Sequence, residues 1–243
     1  MFTLLSAARS PIQATLNLFL QGTCPLCDRA TPAAFCPTCT TSLQQQVSPQ
    51  LDRQSSLLVL AWGRYEGLLK RAIAALKYQQ QAQIGAVLGQ WLGEAWHQHG
   101  QIFSQRPVVV PIPLHPDKLK QRGYNQAELI AQGFCRVTGW PLAARGLQRT
   151  RATEAQFGLD AQARQRNVAE AFELGHAWQQ RSRTSVLLID DIYTTGATAL
   201  SAANTLRRHQ VSVLGIAAIA RAGSQIRTKP HRPGQKRVQD QVR

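Results

Sequence analysis

Two groups of residues in this chain have the types and spacing to do chemistry. The first is a pair of knuckles, Cys24-Pro25-Leu26-Cys27 and Cys36-Pro37-Thr38-Cys39, with eight residues between them. Two such turns let four thiolates converge tetrahedrally on one Zn²⁺ while each turn aims backbone N–H groups at sulfur. Four cysteine ligands leave no open coordination position, so the expected zinc is structural. The competing reading, two redox dithiols, lacks the surrounding strand–helix pattern of a thioredoxin-like motif. The fifth cysteine, Cys135, stands far away on a helical pattern and reads as a core residue.

The second group follows the apolar run Val186 to Ile189, which reads as a buried strand. Two carboxylates, Asp190 and Asp191, come where that strand leaves the sheet, and Thr194-Thr195-Gly196-Ala197-Thr198 opens a helical stretch reaching about Arg208. A helix N-terminus presents unpaired N–H groups and the positive end of a dipole. Gly196 allows close backbone approach and the three threonines add hydroxyl donors, so a phosphate monoester fits the turn. Adjacent carboxylates can accept hydrogen bonds from a ribose diol, and a 5-phosphorylated ribose matches both halves. The turn lacks the Gly-Lys-Ser/Thr ending of a nucleoside-triphosphate loop, and no Gly-x-Gly-x-x-Gly follows a strand, which removes most support for ATPase and dinucleotide readings.

The elements that must position these groups alternate between strand and helix. Leu57 to Trp62 is an apolar run of strand length. Leu68, Leu69, Ile73 and Leu76 repeat at helical spacing with Lys70 and Lys77 on another face, and a second helical pattern runs from Ile84 through Trp96. Val108 to Ile112, bounded by Pro107 and Pro113, reads as a buried strand ending in a stiff loop. Ile130, Phe134 and Val137 mark a helix after Asn125, and Val211 to Ala218 is a third buried run. This order predicts an α/β domain with a mostly parallel sheet, whose ligand sites lie beyond the carboxyl ends of the strands.

Composition agrees with one sizeable core plus a small module. The chain has 243 residues, 44% hydrophobic and 17% charged, too apolar to be disordered throughout. Residues 1–22 read as an amphipathic lead-in, 23–45 as the four-cysteine module, 44–56 as a linker, 57–220 as the main domain and 221–243 as a basic, disordered tail. With 28 Lys+Arg against 13 Asp+Glu the formal charge is +15, which favours nucleic acid and phosphorylated metabolites as partners. No apolar stretch is long enough to span a bilayer, and Arg9 and Pro11 interrupt the N-terminus, so the expected location is the cytoplasm.

The segment Val186 to Thr198 resembles the phosphoribosyl-pyrophosphate signature of type I phosphoribosyltransferases. A narrower resemblance covers about Cys24 to Ala220. Val110-Pro111-Ile112-Pro113-Leu114-His115-Pro116, Arg122-Gly123-Tyr124-Asn125-Gln126, Gln148-Arg149-Thr150-Arg151 with Thr153 and Gln156, and Arg166-Asn167-Val168 before Ala171-Phe172 read in order like the ComF family of competence-related proteins, which carries the four-cysteine module as well. The resemblance implies a type I phosphoribosyltransferase fold preceded by a zinc-ribbon-like module. It further implies that Asp190 and Asp191 bind ribose hydroxyls and that Thr194, Thr195, Gly196, Ala197 and Thr198 hold the 5-phosphate.

Displacement at C1 of phosphoribosyl pyrophosphate develops charge on the departing pyrophosphate, so Mg²⁺ and basic donors should face the carboxylates. Lys118, Lys120 and Arg122 are the pyrophosphate-side candidates, against a solvated basic loop as the alternative. Arg149, Arg151, Arg164 and Arg166 flank a polar stretch that reads either as a lid or as a nucleic-acid surface. In 6-oxopurine transferases a general-base Asp stands where Thr194 stands here, which argues against that acceptor. Glu128, Glu154 and His115 are the remaining bases in principle, and Tyr124 and Tyr193 could either stack a base or pack. By resemblance the chain supports DNA uptake in natural transformation, with single-stranded DNA and a helicase or membrane channel of the uptake machinery as partners, at the inner membrane or free of it. An active phosphoribosyltransferase of nucleotide metabolism is the alternative.

Overall fold

Four apolar runs make the centre of the molecule: β2 (Leu57–Arg64), β3 (Val108–Pro111), β6 (Ser185–Tyr193) and β7 (Ser212–Arg221). They pair in parallel in the order β2-β7-β6-β3, as strands buried on both faces do. A fifth strand, β1 (Gln50–Gln54), adds antiparallel to β2 at the edge. The computed structural model describes residues 22–54, 56–99, 106–150, 171–178 and 184–223. The amphipathic lead-in, Arg151, Thr153, Glu154, Gln156, Arg164, Arg166 and the tail beyond Gly223 lie outside the described residues.

Residues 44–56 are not a linker. They hold the end of α1 (Pro37–Gln46) and the whole of β1. An edge strand pairs on one side only and tolerates a polar sequence such as that of β1, so its low apolar content concealed it.

Helices and a hairpin cover the two faces. On one face lie α2 (Gly67–Tyr78), α3 (Gln83–His99) and α5 (Gln126–Thr138), packed on Leu58, Leu60, Leu187 and Ile189. On the other lie α6 (Ala197–Arg208) and a hairpin of β4 (Leu147–Arg149) with β5 (Phe172–Leu174), packed on Leu57, Val59, Val186 and Leu188. The α3–α5 contact is backbone-close: a Cβ on Gly89 would stand 2.1 Å from the Ile130 carbonyl oxygen. Asn125 starts α5 by accepting from Ala127 N and ties it to the end of β3 by donating to the Ile112 carbonyl, both at 3.1 Å.

Two further expectations change. The stiff loop after β3 is a short helix, α4 (Pro116–Arg122), with His115 at its N-cap and Gly123 at φ 84° closing it. The cysteine segment, with no apolar periodicity of its own, joins the main core: Leu26, Phe35 and Leu43 are buried, and Phe35 stacks 6.1 Å from Trp91, itself 5.3 Å from Trp62. Among the described residues no helix is long and apolar enough to cross a membrane.

Candidate functional site

The four sulfur atoms of Cys24, Cys27, Cys36 and Cys39 all lie within 4.8 Å of one another. A tetrahedral Zn²⁺ with Zn–S of about 2.3 Å requires sulfurs about 3.8 Å apart, so the donor set and its spread fit that ion. The first knuckle is a tight turn in which Cys27 N and Asp28 N donate to the Cys24 carbonyl, closed by the Thr23–Ala30 bridge. The second opens α1, where Cys36 is the N-cap and Pro37 the first helical residue. The backbone N–H of Cys39 lowers the Cys36 thiol to about 7, while burial raises that of Cys39. Arg71 Nη2 donates to the Leu26 carbonyl at 2.7 Å and fixes the module against α2. Burial pushes the Cys135 thiol up to about 12, in keeping with a packed cysteine.

Asp190 and Asp191 do not follow β6 but belong to it. β3 ends opposite Ile189, whereas β7 continues alongside as far as Tyr193, so the pair sits at the carboxyl edge with a strand on one side only. Because side chains alternate along a strand, Asp191 shares the α2–α3–α5 face with Ile189 and Asp190 shares the hairpin face with Leu188. Each meets a cation there. Lys77 Nζ, from the last turn of α2, lies 2.5 Å from Asp191 Oδ2, with 16% and 6% of the two side chains exposed. Arg149, from β4, lies in the field of Asp190, and burial pulls its guanidinium below its usual value. Burial and the charge of Asp191 hold the Asp190 carboxyl well above the usual carboxylate range, with Lys77 opposing them.

Beyond Tyr193 the chain turns through Thr194 and Thr195, both exposed, and enters α6. Gly196 is the N-cap at φ 79°, where a Cβ would come 2.3 Å from the Tyr193 hydroxyl, so the turn is pressed onto that ring. No side chain caps this helix through Gly196, and the nearest local bond is Ala197 N to Thr195 Oγ1 at 3.4 Å. The Tyr193 ring is buried under Arg221, whose guanidinium lies 5.7 Å from its centre and pairs with Asp52 at 2.8 Å. Arg221 is therefore the last residue of β7 and part of the fold, not the beginning of the tail. Tyr193 packs and offers no open face, and the Tyr124 hydroxyl donates to the Leu76 carbonyl.

Of the three basic residues after β3, two share a cavity with Lys77, the partner of Asp191. Lys118 and Arg122, one turn apart on α4, line a cavity of about 270 Å³ together with Lys77, Tyr78, Gln80 and Gln121. Lys120, two positions from Lys118, is exposed and does not line that cavity. His115 holds the start of α4 by accepting from Asp117 N, which gives it a structural use.

No family model matches the chain. Among curated proteins it is similar to Competence protein F of Haemophilus influenzae, 28% identical over 217 residues that cover 86% of this chain and 95% of that protein. It is similar to DNA utilization protein YhgH of Escherichia coli K12, 29% identical over 82% of this chain and 90% of that protein, and to Competence protein ComFC of Bacillus subtilis, 27% identical over 75% and 70%. The consistent naming of these relatives supports a ComF/ComFC-like family relationship. A solved adenine phosphoribosyltransferase from Leishmania tarentolae aligns with 72% of this chain at a TM-score of 0.40 and 12% identity, too distant to assign the fold.

In this ComF-like chain, sequence reasoning located the carboxylates and the turn but missed Lys77, which pairs with Asp191, and Tyr78, which lines the cavity beside it. Lys77 was visible only as a polar residue on an amphipathic helix, and nothing local ties it to Asp191. One signal was available: a last-turn lysine on a helix that packs on the sheet face reached by every second residue of β6.

Proposed function

We propose that this protein binds phosphoribosyl pyrophosphate or a related ribose phosphate at the carboxyl edge of β6, and that this site serves DNA handling during natural transformation. The observation that carries the reading is the arrangement along one strand end: two carboxylates in the sheet, then an open helix N-terminus with a glycine cap and exposed threonines, then a bank of cations opposite. Asp190 and Asp191 would accept the ribose hydroxyls, and residues 194–198 would hold the 5-phosphate. Lys118 and Arg122 face the pyrophosphate side, with Lys120 as an outer charge. The strand order β2-β7-β6-β3 and the position of the acidic pair support the type I phosphoribosyltransferase fold, with residues 57–220 and β1 as its domain.

Mg²⁺ would enter with pyrophosphate, whose charge offsets the cations of the cavity, and would neutralise charge on the departing group, with the Asp190 and Asp191 oxygens as hard donors nearby. The residues themselves orient the ribose, neutralise the phosphates and, through the raised Asp190, exchange a proton as ligand enters. The four cysteines hold a structural Zn²⁺ that ties the N-terminal segment to the core. The net charge of +15 supports contact with single-stranded DNA, and the curated relatives named for competence and DNA utilization support the biological setting.

The test uses a naturally transformable strain deleted for its own family member and complemented with this chain. Wild type is expected to restore transformation, and Asp190→Asn, at equal protein level and zinc content, is expected to fail. Restoration by Asp190→Asn as full as by wild type would separate the site from DNA handling.

A further inference from the structure

Tyr78 is the most exposed large apolar side chain among the described residues, with 76% of its surface in water. It stands at the end of α2, where the packing that buries Leu69, Ile73 and Leu76 has stopped. Its ring has a cationic neighbour. The Arg122 guanidinium lies 5.8 Å from the ring centre, and Arg122 is itself held by donating to Gln126 Oε1. Around the ring the cavity walls carry three cations, Lys77, Lys118 and Arg122, and two amides, Gln80 and Gln121, with no carboxylate among them. A solvated basic surface has no need of an aromatic plate at the mouth of a hollow.

An oriented aromatic face beside cations and side-chain amides matches a nucleobase with its phosphates. Every base has a π-face, and stacking on an aromatic residue together with a positive groove is how single strands are held without sequence preference. We propose that the Tyr78 cavity is a single-stranded DNA site: Tyr78 stacks one base, Lys118 and Arg122 hold the flanking phosphates, and Gln80 and Gln121 meet the base edge or sugar. The inference rests on the reading of the protein as a DNA-handling family member and gives that activity a place in the fold. Lys77 pairs with Asp191, and Lys118 and Arg122 are the cations assigned above to the pyrophosphate, so the strand and the pyrophosphate compete for this cavity.

The full-length, zinc-loaded protein is titrated with a fluorescent fifteen-nucleotide oligo-dT and with an abasic strand of equal length and charge. Wild type should bind oligo-dT about tenfold tighter than the abasic strand, within the range expected for one stacked base. Tyr78→Ala should bring oligo-dT down to the abasic affinity without changing the abasic value, and Tyr78→Phe should keep the preference. Lys118→Gln, on an exposed helix, should weaken both strands alike and reduce the salt slope by about 0.7. All three variants should keep wild-type zinc content and melting temperature. An undiminished preference for oligo-dT in Tyr78→Ala would overturn this site while leaving DNA binding intact. Failure of wild type to bind either strand would overturn the DNA reading with it.

Discussion

The cysteine cluster and the acidic site are built in opposite ways. The cluster draws its four ligands from residues 24–39, brought together by one tight turn and one helix start, and takes no ligand from outside that segment. The acidic site draws Asp190 and Asp191 from β6, Lys77 from α2 and Arg149 from β4, with the α4 cations Lys118 and Arg122 sharing a cavity with Lys77, and exists only once the sheet and both layers have assembled. One is a local device that stabilises the fold, and the other is a product of the fold. Perturbing the first should therefore act on stability, and perturbing the second on charge balance and binding.

The largest effect expected is loss of the metal. Structural Zn²⁺ in small modules contributes on the order of 10 kcal/mol. Chelation, or Cys39→Ser, should release Phe35 from Trp91, change tryptophan fluorescence and lower the melting temperature by more than 10 °C. An unchanged melting temperature in the zinc-free protein would erase the contrast.

Next comes Asp191→Asn, which strands the largely buried Lys77 without its partner. Removing one member of such a pair costs about 3 kcal/mol, and Lys77→Met in the same chain should recover much of it, measured by urea unfolding. Equal stabilities of the single and double variants would mean that the pair is not coupled.

Smaller again is Gly196→Ala, which forces a Cβ at φ 79° toward the Tyr193 hydroxyl and should cost about 1–2 kcal/mol. Tyr193→Phe should relieve part of that loss in a double-mutant cycle. Additive losses would place the turn away from the ring.

The smallest effect sharpens the comparison through pH. Asp190 is raised above its unfolded value near 4, so the folded state holds its proton more tightly than the unfolded chain. Its contribution to stability falls as pH rises from about 4 through its raised native value. Asp190→Asn removes that penalty and should raise the melting temperature of the ligand-free protein by about 2–4 °C at pH 7–8. The gain should vanish near pH 4, and a gain independent of pH would contradict the assignment.

This division explains what could be read from the chain alone. The zinc knuckles were legible because their spacing is the site, and β2, β3, β6 and β7 were legible because strands buried on both faces are continuous apolar runs. Gly196 and the threonine turn were legible as a local helix start. Edge strand β1 was not, because its polar sequence reflects one-sided pairing. Helix α4 was not, because none of its residues is buried and it therefore carries no apolar stripe. Lys77 and Tyr78 were not, because their places at the cavity depend on which helix ends beside β6, a fact of topology that no window of sequence contains. The tie of Phe35 and Leu43 to the main core was hidden for the same reason.

Calorimetric titration of the zinc-loaded protein with phosphoribosyl pyrophosphate, with and without Mg²⁺, beside Asp190→Asn, addresses the central claim most directly. That variant keeps the Lys77–Asp191 pair and should fold as wild type does. The account predicts Mg²⁺-dependent binding by wild type that weakens at least about tenfold in Asp190→Asn, the loss of one charge-assisted hydrogen bond to the ribose. Absence of binding by well-folded wild type, or equal binding by the variant, would contradict it.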